Sequence, residues 1–264
     1  MTPTPVASFD HATLAFGERV LWNDLDLAID SGEFVAVLGP NGSGKTSFLR
    51  TLLGQYRLTA GRLTVTDAVG YIPQQHADDA DTMALRGRDL VGFGVDGARW
   101  GIGLRGYRER RRKVDAALAE VGARAYADAP VGVLSGGEQQ RLRVAQALTT
   151  DPELLLCDEP LASLDPASQE RVVELIDQRR RTAGTAVVLV THEINPVMPY
   201  VDRVLYLAGG RFLAGPPDEV MTTATLSELY GSHVEVVHVN GRILVVGGEE
   251  GTAHCDVHPE IERR

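Results

Sequence analysis

Cysteine is scarce in this chain: two residues, Cys157 and Cys255, among 264. That excludes a disulfide framework and makes a reducing compartment the default. Long apolar runs are missing too. No stretch reaches the ~18 or more consecutive apolar residues of a bilayer span, so any membrane attachment is expected to come through a partner. The start, Met1-Thr2-Pro3-Thr4-Pro5, lacks a basic segment followed by an apolar core, which predicts no secretory signal and a cytoplasmic location. Positive charge is in deficit, since 26 Lys and Arg against 36 Asp and Glu leave a net −10. A dedicated nucleic-acid binder needs the opposite balance, so no nucleic-acid partner is expected. What remains is an ordinary globular composition, 44% apolar, with enough chain for one large domain or a domain plus a smaller lobe.

The first thirty residues read as β structure. In Asp24-Leu25-Asp26-Leu27-Ala28-Ile29-Asp30 apolar and polar residues alternate, as in a half-buried strand. Ser31-Gly32 makes a turn. Phe34-Val35-Ala36-Val37-Leu38 is continuously apolar, which suits a parallel strand covered on both faces. From Ser43 the spacing is helical. Residues 75–133 change character: Asp78, Asp79 and Asp81 precede a helical stretch, Gly92, Gly94, Gly97, Gly101 and Gly103 mark loops, and Arg108 to Val121 reads as a helix. Strands return at Leu154-Leu155-Leu156-Cys157 and Ala186-Val187-Val188-Leu189-Val190, with a helix from Arg171 to Arg180 between them. Near the end, Asn240-Gly241 between two alternating apolar runs predicts a hairpin with a type I′ turn. Beyond Gly247 a loose tail is expected.

The clearest chemistry lies in Gly39-Pro40-Asn41-Gly42-Ser43-Gly44-Lys45-Thr46, followed by Ser47. It fits G-x-x-x-x-G-K-[ST] with a buried strand before it and a helix after it. Glycines let backbone N–H groups wrap the phosphates of a nucleotide, and the helix opening near Gly44 adds about half a positive charge there. Lys45 supplies a full charge, and the Thr46 hydroxyl suits Mg²⁺. A second constellation closes the strand Leu154–Cys157 with Asp158 and Glu159. The first carboxylate suits Mg²⁺, and the second can orient and deprotonate an attacking water. A third feature is Leu134-Ser135-Gly136-Gly137-Glu138-Gln139-Gln140-Arg141. Ser135 with Glu138 three residues on is a capping box, and Gly136 and Gly137 leave the helix amides uncovered, which reads as a second anion site.

With these motifs in order, the sequence resembles the ATP-binding subunits of ABC transporters over about residues 7–231. Leu134-Ser135-Gly136-Gly137 matches the family signature. Phe16 sits where an aromatic stacks on adenine, Gln74 in Tyr71-Ile72-Pro73-Gln74 matches the Q-loop, Leu164-Asp165 the D-loop, and His192 the switch histidine. The departures are mild: Glu138 replaces the usual Gln, the D-loop reads Ala162-Ser163-Leu164-Asp165, and the stacking aromatic is Phe.

The resemblance implies an α/β fold, a P-loop NTPase (RecA-like) core with an antiparallel β subdomain and an inserted helical subdomain. It places the ATPase domain at residues 1–231, the helical insert at about 75–151, and a C-terminal hairpin and tail at 232–264. It implies ATP and Mg²⁺ as ligands, with Thr46, Gln74 and Asp158 holding the metal. Glu159 activates water, and His192 contacts the γ-phosphate. Two copies clamp ATP head to tail, between the P-loop of one and Ser135, Gly136 and Gly137 of the other, with Asp165 crossing the interface. The helical insert docks on an integral membrane permease at the inner face of the membrane, and an extracytoplasmic substrate-binding protein completes the system without direct contact.

The stretches 134–148, 158–165 and the tail pattern look most like importers of divalent metal ions, zinc or manganese. Iron-chelate importers and a soluble ABC-type ATPase of iron–sulfur assembly are the alternatives. A regulator that never dimerises is a further one. Three remaining features have plain readings: the basic run Arg105, Arg108, Arg110, Arg111, Arg112 and Lys113 as a wet helix face, Cys157 as inert core, and His254-Cys255-Asp256-Val257-His258 as a solvated tail.

Overall fold

The computed structural model describes residues 5–74, 80–97 and 107–247. The core is a six-stranded sheet formed by β3 (Phe34–Leu38), β5 (Val69–Ile72), β6 (Leu154–Asp158), β7 (Ala186–Val190), β8 (Arg203–Ala208) and β9 (Arg211–Gly215). Its spatial order is β5-β6-β7-β3-β8-β9, parallel except for β9. Every residue of β3, β6 and β7 is buried. Such strands can stay unbroken and apolar because both faces of the sheet are covered.

One cover is an antiparallel sheet of β1 (Pro5–Phe16), β2 (Arg19–Asp30) and β4 (Ala60–Val65), in the order β2-β1-β4. Between the two sheets runs α1 (Lys45–Leu52). Its Phe48 is fully buried, stacks on Phe9 at 4.9 Å and meets Trp22 edge-on at 5.9 Å. Replacing such an aromatic by alanine costs about 3–5 kcal/mol, so this packing fixes the helix firmly behind its N-terminus.

The other cover includes α6 (Pro166–Ala183) and, beyond it, a helical lobe of α2 (Ala80–Ala84), α3 (Gly87–Asp96), α4 (Tyr107–Glu120) and α5 (Gly136–Leu148). Val114, Ala117 and Leu118 of α4 point inward at helical spacing, onto Leu90 and Val91 of α3 and Leu142 and Ala145 of α5. The basic residues 108 and 111–113 lie on the exposed side, and Arg110 pairs with Asp96 at 2.7 Å. Arg105, His76, Asp78, Asp79, Gly101 and Gly103 lie outside the described residues.

Two glycines read as loop markers are helical. Gly92 and Gly94 sit inside α3. A Cβ at Gly92 would fall 2.1 Å from Arg110 Nη2, and one at Gly94 would fall 2.2 Å from the Gln146 carbonyl oxygen. Close approach of α4 and α5 explains them, and outweighs the helix penalty of about 1 kcal/mol per glycine. The second helix of the core also begins earlier than its apolar spacing indicates. Asp165 caps α6, its Oδ1 accepting from the Ser168 N–H at 3.0 Å, and Pro166 takes the first turn.

After β9 come α7 (Pro217–Val220), α8 (Thr223–Tyr230) and the hairpin of β10 (Val234–Val239) and β11 (Arg242–Gly247). Asn240 and Gly241 both have positive φ, 50° and 76°, as a type I′ turn requires. Among the described residues no helix is long and apolar enough to cross a membrane. Cys157 is fully buried in β6, and burial pushes its thiol pKa up. Cys255 and the other tail residues His254 and His258 lie outside the described residues.

Candidate active site

Four neighbouring parallel strands end on one edge of the sheet. In spatial order, β5 leads to Gln74, β6 to Asp158 and Glu159, β7 to Thr191 and His192, and β3 to the loop 39–44. The carboxyl edge of such a sheet is where ligands bind in open α/β folds.

A cleft of about 430 Å³ opens there, lined by Phe16, Arg19, Leu21, Asn41, Gly42, Gly44, Lys45, Thr46, Ser47, Glu159 and His192. The loop curls around the Lys45 ammonium, which donates to the carbonyl oxygens of Gly39 at 2.7 Å and Pro40 at 2.9 Å. Gly39 has φ of 141°, and a Cβ there would fall 2.1 Å from the Leu207 carbonyl oxygen, so no other residue fits. The N-cap of α1, Gly44, brings no side-chain hydrogen bond, and the first turn holds no acid. The amides at this helix start are thus left open to an anion. Ser43 Oγ is buried among them without a partner.

Asp158 is 2% exposed, and its Oδ1 has no partner. Burial and the neighbouring Glu159 raise its carboxyl pKa, while Arg50, Lys45 and His192 offset part of the effect. An unpartnered buried carboxylate oxygen beside the phosphate loop is what a hard cation such as Mg²⁺ would satisfy. Burial lowers the Lys45 pKa, against the pull of Glu159 and Asp158.

Glu159 is engaged on both oxygens. Gln74 Nε2 donates to its Oε2 at 3.0 Å, and His192 Nε2 lies 2.5 Å from its Oε1. Its backbone is left-handed, φ 49°, a conformation that costs a non-glycine residue about 1–3 kcal/mol and persists only where the surroundings enforce it. Its N–H donates to the Val190 carbonyl at 3.0 Å, tying the end of β6 to the end of β7. Phe16 presents a half-exposed ring at the mouth, edge-on to Tyr56 at 5.1 Å.

Four of the candidate residues lie elsewhere. Ser135 and Gly136 are exposed at the start of α5, outside the cleft. Gly137 is buried, and the space its side chain would take holds Ser168, whose Oγ would be 2.5 Å from a Cβ. That glycine is therefore also a packing position against α6. The capping box is complete: Glu138 Oε2 accepts from the Ser135 N–H at 2.9 Å, and Ser135 Oγ accepts from the Glu138 N–H at 3.4 Å. Asp165 is exposed and occupied by its own helix cap, with hydrogen bonds from Ser168 lowering its pKa.

The sequence reading passes over two residues of the site. Arg19 lines the cleft and donates to the Gly42 carbonyl at 2.5 Å. Burial, with the neighbouring Asp158 carboxylate, raises the phenol pKa of Tyr71. Tyr71 stands in the Q-loop segment itself. Arg19 belongs to no motif and is delivered by the β1–β2 turn.

Comparison with known proteins decides the family. The family model for the ABC transporter matches residues 22–162. This chain belongs to the ABC transporter family. It is an ATP-binding import subunit of that family, and so an ATPase. The hemin import ATP-binding protein HmuV of Bradyrhizobium diazoefficiens is 35% identical over 88% of this chain and 90% of its own length. The zinc import ATP-binding protein ZnuC of Roseobacter denitrificans is 34% identical over 84% and 83%, and the phosphonates import ATP-binding protein PhnC of Stutzerimonas stutzeri 34% over 83% and 87%. Among solved structures, CbiO1 of Clostridium perfringens, part of the transporter complex CbiONQ, superposes with a TM-score of 0.72 at 24% identity, covering 85% of this chain and 93% of its own. A chain assigned to a metal-chelate type ABC transporter, in an inward-facing conformation, reaches 0.78 at 24%, covering 92% and 96%. These two likenesses speak for the fold.

Proposed function

We propose that this ABC ATPase energises import of a divalent metal ion, zinc or manganese, through a separate permease at the cytoplasmic face of the membrane. The observation that carries the catalytic part is the Gln74–Glu159–His192 cluster beside Lys45 and the unpartnered Asp158. The metal reading is supported by zinc import relatives at 32–34% identity across most of this chain.

In this reading the loop amides and Lys45 hold the β- and γ-phosphates, Phe16 faces the base, and Ser43, Thr46 and Ser47 line the phosphate end. Thr46, Gln74 and Asp158 hold Mg²⁺, which neutralises charge on the phosphates when bound. Glu159 takes a proton from the attacking water, and His192 steadies the γ-phosphate. A second copy brings Ser135, Gly136 and Gly137 across the nucleotide, and Asp165 joins the two halves. The lobe 75–151, hinged at Gln74, works as a unit against the permease, and an extracytoplasmic binding protein supplies the cargo. Residues 232–264 form an appendix to the ATPase domain 1–231.

The test of transport is ATP-driven uptake by vesicles carrying the chain with its permease. Zinc or manganese accumulation supports the proposal. Hemin uptake without metal uptake establishes the iron-chelate reading instead, which the HmuV relatives at 35% and 36% identity favour. The dimer is tested by sedimentation of Glu159→Gln with ATP: a monomer under saturating nucleotide overturns it.

A further inference from the structure

The segment carrying His192 is held from the C-terminal hairpin. Asn195, three residues on, gives both ends of its amide to one residue of β11: its Nδ2 donates to the Ile243 carbonyl at 3.0 Å, and its Oδ1 accepts from the Ile243 N–H at 2.7 Å. The grip is anchored. The Ile243 side chain is 7% exposed and belongs to the same core cluster as Ile194, Val197 and Val234. On the opposite side His192 reaches Glu159 beside open space. A cavity of about 180 Å³ separates Leu161, Ala162 and Ser163 from Thr191, His192 and Pro196, and reaches Glu159. The near end is fixed by Thr191, whose Oγ1 closes a turn with Glu193 at 2.9 Å and 3.1 Å. The far end is where Asn195 bonds the hairpin.

We propose that Asn195 is a positioning residue for ATP hydrolysis, and that the hairpin β10–β11 is the fixed point from which it holds His192 against Glu159. The inference rests on the role given to His192 above. It makes the hairpin a handle on turnover: a force or ligand that shifts β11 changes hydrolysis without touching the nucleotide.

The experiment uses the full chain, with ATP turnover, ATP affinity and the imidazole signals of ¹⁵N-histidine-labelled protein as readouts. Asn195→Ala is expected to lower kcat roughly 10- to 100-fold, the scale of a small misplacement of a reacting group, and to move the His192 resonances. Affinity for ATP stays within about twofold, because the loop 39–46 is not involved. Asn195→Asp keeps the acceptor for the Ile243 N–H but sets a carboxylate oxygen against the Ile243 carbonyl. It is expected to lower kcat as well, and carries the test if the alanine variant does not fold. Wild-type turnover and unmoved His192 signals in a folded Asn195 variant, with His192→Ala impaired, overturn this inference alone. Wild-type turnover in His192→Ala overturns the switch-histidine reading and the inference with it.

Discussion

Two helix starts in this chain carry glycine-rich sequences, and they are built in opposite ways. At α1 the cap is Gly44, the first turn has no acid, and no side chain bonds the free amides. At α5 the cap is Ser135, Glu138 stands in the first turn, and the two close a reciprocal box. The first start is left open and backed by a lysine. The second satisfies itself and adds a negative charge. On the proposed reading a triphosphate therefore has one strong binding end in a single chain. In the dimer proposed above, the second end would meet a nucleotide already held by the other copy, with Ser135 turned away from Glu138.

This contrast can be broken by measurement. The largest effect is expected for Glu159→Gln, which leaves both helix starts intact and removes the base: hydrolysis falls by at least ~10²-fold in a steady-state assay, while ATP stays bound. Near-normal turnover sinks the role of Glu159. Next is Lys45→Ala at the open start. Losing a charged hydrogen-bonding group there lowers ATP affinity of the isolated chain roughly 10- to 100-fold by fluorescence titration. An unchanged affinity shows that the amides alone suffice.

Smaller is Ser135→Ala at the sealed start. It costs about 1 kcal/mol of stability by denaturant unfolding, a typical cap, and leaves ATP affinity of the monomer unchanged. A loss of monomer affinity shows that the two starts are less different than their caps indicate. The cap also carries a pH signature. Hydrogen bonds from Ser135 hold the Glu138 pKa below the usual carboxylate range. Its stabilisation is therefore complete above the ordinary glutamate value and is lost as pH falls through the lowered one. Wild type and Ser135→Ala should draw closer in melting temperature on acidification over that window.

The same contrast marks what sequence could show. The strand–loop–helix around Lys45, the Ser135–Glu138 box and the Asn240-Gly241 turn are local devices, each written within a few residues, and each appears in the structure. Gly92 and Gly94 mislead because a glycine's local reading is a turn, whereas here α4 and α5 press against them from far along the chain. Gly137 has a similar long-range contact, Ser168, which its sequence does not announce. Arg19 has no motif, and its value comes from a hairpin that swings it over Gly42. Asn195 and Ile243 are 48 residues apart, and nothing short-range announces their bond. The strand β8 is as apolar as its neighbours but carries no chemistry, so motif-led reading passes over it.

The double engagement of Glu159 ties the base to the ends of two other strands. A base that already accepts from Gln74 on one oxygen and faces His192 on the other has part of its acceptor capacity taken and its orientation set before any water arrives. On the proposed mechanism, departure of Gln74 frees one of those acceptors, so a movement at the hinge is felt directly by the base.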